Sequence, residues 1–76
     1  MEQQIKEVLS KVFGVDLTEI DENTSSDTLE NWDSLRQMNL VVALEEEFEV
    51  EFTDEQILEM LSFKLIVHII KEALEQ

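Results

Sequence analysis

Two apolar ridges run through residues 34–48, SLRQMNLVVALEEEF. At about 100° per residue, Leu40, Val41, Leu44 and Phe48 fall on one side of a helix, and Leu35, Met38 and Val42 fall roughly opposite. The first set is an ordinary core stripe. A helix at the surface of a small protein needs only one buried face. The second ridge, bordered by Glu45, Glu46 and Glu49, is therefore either a docking surface for a basic partner or a face covered by another segment of the same chain. Asp33 precedes the pattern and is read as its N-cap, since a short carboxylate there accepts an orphan backbone N–H. Ser34 then lies in the first turn, where free amides and the positive end of the helix dipole favour negative charge, including a phosphate ester on the serine oxygen.

The same periodicity predicts three further helices. Residues 2–13 carry Ile5, Val8, Leu9, Val12 and Phe13 on one face, and Gly14, the sole glycine, supplies the left-handed residue that ends the helix. Thr53 and Gln56 have the spacing of a capping box, so a short helix is expected over residues 54–60, with Ile57, Leu58, Met60 and Leu61 as apolar cover. Ser62 caps a last helix to about residue 74, with Phe63, Ile66, Val67, Ile70 and Leu74 as its core stripe and Leu65 and Ile69 widening it. The simplest packing is all-α: a small antiparallel four-helix bundle with a long first loop and a short third helix, in a single domain spanning residues 1–76.

Residues 15–32 make that loop. Val15, Leu17, Ile20 and Leu29 are expected to pin it to the bundle, and Trp32 to lay its ring beside the entrance to the second helix. Asp21, Asn23, Ser25 and Asp27 alternate as in a calcium-binding loop, but the sixth position is Ser26 instead of glycine and the twelfth is Trp32 instead of glutamate. The sharp turn and the bidentate ligand are both missing, so an EF-hand is rejected and no metal site is assigned.

Charge narrows the partners. Nineteen acidic residues against five basic ones give a formal net charge of −14. Nucleic acid and anionic membranes are disfavoured by repulsion, and basic protein surfaces are the natural complement. The chain has no cysteine, so it has no disulfide, suits a reducing cytoplasm, and depends on a cofactor for any thiol chemistry. No signal-peptide pattern is seen, and the apolar runs are too short for stable membrane insertion. Nor does the pattern support an enzyme. A catalytic serine needs a base and an oxyanion site; the only histidine, His68, lies on another predicted helix, away from its core stripe. There is no nucleophile elbow, phosphate-cradling loop or His-x-x-x-His pair. No catalytic residue is assigned, and the glutamates read first as a solvated face.

Asp33-Ser34-Leu35 followed by LVVALEEEF at residues 40–48, and then by Glu51, Phe52, Thr53, Asp54 and Glu55, resembles the attachment-site helix of acyl carrier proteins. The resemblance covers nearly the whole chain and is sharpest over residues 33–55. It implies a discrete, non-catalytic, monomeric carrier of acyl intermediates. These are held as thioesters on a 4'-phosphopantetheine arm, which a phosphopantetheinyl transferase takes from coenzyme A and joins to Ser34, with Asp33 and Leu35 framing the site. It also implies that Leu35, Met38, Val42, Glu45 and Glu46 meet the basic docking surfaces of acyl-loading and acyl-processing enzymes of fatty-acid, polyketide or related biosynthesis. Asn31, Arg36 and Thr53 stand where fatty-acid carriers often have glycine, an acid and proline, so an aminoacyl carrier of a specialised pathway is an alternative. So is an unmodified acidic helical adaptor that binds a basic protein.

Overall fold

The computed structural model describes residues 2–29 and 32–75; Asn31 lies outside them. Four α-helices follow in order: α1 Glu2–Phe13, α2 Ser34–Phe48, α3 Asp54–Glu59 and α4 Phe63–Leu74, with a 3₁₀ turn at Leu17–Glu19 between the first two. The architecture is the expected all-helical small bundle with a short third helix. Gly14 ends α1 with φ 66°. The capping box of α3 is complete, with Thr53 accepting from the Gln56 amide and Gln56 from the Thr53 amide. Ser62 caps α4 through the Leu65 amide at 3.2 Å.

One core joins the helices. Ile5, Leu9, Phe13, Leu40, Leu44, Met60, Ile66 and Ile70 have at most 1% of their surface exposed, and Val8, Val41, Phe63, Val67 and Ile69 close around them. Burying each large aliphatic or aromatic side chain contributes about 1.5–3 kcal/mol relative to leaving it in water. Val12, Val15, Leu29, Trp32, Ala43, Phe48, Phe52 and Ile57 pack on the rim, half-buried.

Five leucines expected against the bundle are exposed. Leu58 (74% exposed) and Leu61 do not cover the core. The third helix stops at Glu59, and within its few residues Met60 takes the fully buried position while Ile57 lies on the rim. Leu74 and Leu65 are also exposed, the former in the last turn of α4. Leu17 faces solvent on the 3₁₀ turn, leaving Ile20 as the fully buried anchor of the loop. The methionines divide, with Met60 in the core and Met38 half out in water.

The long loop is held by its backbone. The Phe63 amide donates to the Thr24 carbonyl at 2.9 Å and the Ser26 amide to the Leu61 carbonyl at 2.9 Å, a single antiparallel bridge between Ser25 and Ser62. Thr24, the buried polar residue among those described, accepts from the Asp21 amide. The residues that alternate like calcium ligands serve as turn formers. Asp21 accepts from the Asn23 amide, and the Ser25 hydroxyl from the Asp27 amide. Asp16 and Glu19 build a capping box on the 3₁₀ turn that the apolar pattern does not announce.

Candidate functional site

The site forms where the loop enters α2. Asp33 is the N-cap in extended conformation, and its carboxylate accepts from the Arg36 amide at 2.8 Å. That bond satisfies one first-turn donor, while the amides ahead of it have no acceptor within the helix. Ser34 is the first helical residue and is exposed, as are Asp33 and Leu35. A hydroxyl here is open to another protein and lies at the end of the helix that stabilises an anion. Those features fit a phosphate ester on its oxygen.

Three side chains hold this helix end, and sequence reasoning assigned a contact to only one of them. Trp32 stacks against Phe13 of α1, centroids 4.8 Å apart and tilted by 38°, as expected. Arg36, noted only as a departure from a family pattern, donates from Nη1 to the Val12 carbonyl at 2.7 Å and so caps the C-terminal end of α1. A cation there also complements the helix dipole. Gln37 accepts at Oε1 from the Trp32 indole N–H and donates through Nε2 to the carbonyls of Ile57 (3.0 Å) and Met60 (3.1 Å) at the end of α3. A signal for it exists in the sequence. Gln37 precedes Leu40, Val41 and Leu44 by three, four and seven residues, on their side of the helix, where a polar group needs partners.

Beside Ser34 an open cleft of about 420 Å³ runs between α2 and the end of α3, lined by Ser34, Trp32, Gln37, Met38, Ile57, Leu58 and Leu61 among others. The ridge continues from it along α2. Leu35 is 70% exposed, Met38 52% and Val42 50%, so no segment of the described chain covers them. At the far end Val42, Glu45, Glu46, Glu49, Val50 and Glu51 line a shallow acidic depression of about 580 Å³. Glu46 is exposed, whereas Glu45 is half-buried and one of its oxygens accepts from the Phe52 amide at 3.0 Å. The carboxylate thus also braces the turn between α2 and α3. Glu49 ends the helix in the left-handed conformation, φ 55°.

Residues 33–61 contain nine acids and one base, Arg36, while all four lysines lie in α1 and α4. The molecule is electrostatically lopsided, and the acidic side is the side of Ser34. His68 is exposed on α4, 2.6 Å from Glu72.

The family model for the phosphopantetheine attachment site matches residues 3–70. The chain belongs to the acyl carrier protein family. The acyl carrier protein of Clostridium acetobutylicum is 34% identical over 74 residues, covering 97% of this chain and 96% of that protein. The cofactor of this family is 4'-phosphopantetheine, carried covalently. The helix mouth just described has the fit such a group requires: an exposed hydroxyl, first-turn amides and an adjoining apolar cleft. No helix of the described residues is long and apolar enough to cross a membrane.

Proposed function

We propose that this chain is a single-domain carrier whose phosphopantetheine arm is joined to Ser34, and that it delivers acyl intermediates to partner enzymes of fatty-acid, polyketide or related biosynthesis. The observation that carries the reading is the solvent-exposed Ser34 at the first position of α2, capped by Asp33, in a chain of this family. The Ser34 oxygen forms the phosphoester bond as a transferase breaks the pyrophosphate of coenzyme A, adenosine 3',5'-bisphosphate leaving and the serine proton passing to a base of the transferase. The arm, once bound, supplies the terminal thiol that the cysteine-free chain lacks. Asp33 keeps the helix start ordered, so that the hydroxyl is presented in one place, and Leu35 flanks it as an apolar contact for the transferase.

The rest of the outer face is read as the docking surface. Leu35, Met38 and Val42 form an uncovered apolar strip, Glu46 stands beside it, and Glu45 contributes the oxygen not held by the Phe52 amide. Arginines and lysines of loading and processing enzymes meet the carboxylates, and long-range steering speeds encounter at low salt. The chain makes and breaks no bonds of its cargo. Ser34 has no histidine among its hydrogen-bond partners, and His68 is engaged with Glu72 on the exposed side of α4. A monomer in the cytoplasm is the setting that suits a cysteine-free acidic handle of this size.

The test is intact mass. Apo protein incubated with coenzyme A and a broad-specificity phosphopantetheinyl transferase gains one phosphopantetheine. An unchanged mass, with other carriers modified in parallel, contradicts the reading and favours an unmodified adaptor.

A further inference from the structure

Gln37 is the polar residue on the core side of α2, and all of its amide is used. Its oxygen takes the Trp32 indole N–H, and its nitrogen spans the seam between helices to the carbonyls of Ile57 and Met60. The two bonds to the end of α3 join opposite walls of the cleft beside Ser34, since Gln37 and Ile57 both line it. Leu40, Leu44 and Met60 are fully buried behind the seam. An alkyl chain pressed from the cleft towards them has to part α2 from the end of α3. That leaves the Gln37 amide N–H groups and the Met60 carbonyl against hydrocarbon, where unpaired polar groups are strongly disfavoured. The outer part of the cleft offers apolar side chains without such a penalty, namely Met38, Leu58 and Leu61, all about half-exposed or more.

Resting on the carrier reading, we propose that Gln37 is a positioning residue that latches α2 to α3. It keeps the cleft a surface feature and suits this carrier to short or polar acyl groups that lie along it, in place of long aliphatic chains taken into the core. In the holo protein, butanoyl and dodecanoyl thioesters are expected to be cleaved by hydroxylamine at rates within about twofold of each other, since neither is sheltered. Gln37→Met keeps the length and removes both hydrogen-bonding groups. It is expected to shelter the dodecanoyl ester about tenfold while leaving the butanoyl ester unchanged.

A readout that needs no arm accompanies this. In the apo protein, the Gln37 side-chain amide protons are expected to exchange with solvent about tenfold more slowly than those of the exposed Gln3 and Gln4. Gln37→Glu retains the acceptor for Trp32 and loses the donors to Ile57 and Met60, so it is expected to keep the indole protected yet still shelter dodecanoyl. The glutamate variant also decides the matter if the methionine variant does not fold. Shelter of dodecanoyl in the unsubstituted protein, or Gln37 amide protons that exchange as fast as those of Gln3 and Gln4, overturns the latch. Absence of the arm's mass on the unsubstituted protein contradicts the carrier reading instead, and the Gln37 amide exchange still decides the latch.

Discussion

The inner and outer faces of α2 carry the same kinds of side chain and end in opposite environments. Leu40, Val41 and Leu44 are at most 3% exposed, whereas Leu35, Met38 and Val42 are at least half exposed. The inner residues contribute to folding by leaving water. The outer residues make no such contribution, and they adjoin the serine, the cleft and the acidic depression. The difference teaches that apolar content along a helix divides into a part that holds the chain together and a part left in water, which the proposed function assigns to partners.

The comparison can be broken from either side. The largest effect is expected from Leu44→Ala, which leaves a cavity at a fully buried position and lowers unfolding free energy by about 2–5 kcal/mol in urea titration. The outer pair Met38→Ala and Val42→Ala is expected to leave stability within about 0.5 kcal/mol per site, while transfer of the arm or an acyl group by a partner enzyme falls about tenfold. Equal losses of stability on the two faces would erase the distinction. Arg36→Ala, which removes the strut from α2 to the Val12 carbonyl, is expected to cost about 1–2 kcal/mol with the fold retained by circular dichroism. The smallest effect is expected from Glu46→Lys: acyl transfer slowed about threefold at low salt and close to unchanged at high salt, as befits a screened surface charge.

Much of this was legible in the chain itself. Helix periodicity, Gly14, and the caps at Asp33, Thr53 and Ser62 are local signals, and the four helices follow them closely. Ser34 was marked by its place at the head of the strongest helical pattern. What escaped depends on contacts far apart in sequence. Arg36 reaches a carbonyl 24 residues away, and Gln37 bonds carbonyls 20 and 23 residues away; periodicity within α2 names neither partner. The coverage of the outer ridge was open for the same reason, since only the placement of α3 and the loop decides it. Leu58 and Leu61 were misjudged because a helix as short as α3 gives too few turns for a stripe to declare which side is in. Glu45 was read only as a docking carboxylate beside the ridge, because its brace to the Phe52 amide spans a turn and not the helix.

The central claim is that the hydroxyl at the mouth of α2, and no other, takes the arm. Ser10, Ser25, Ser26 and Ser62 are also present, but they serve as backbone acceptors or donors in turns and caps, or lie in the loop. Fragmentation mass spectrometry of the modified protein tests this directly. The account predicts that the added phosphopantetheine resides on Ser34 alone and that Ser34→Ala folds normally but stays at its apo mass. An arm found on another serine, or carried by the Ser34→Ala protein, would contradict it.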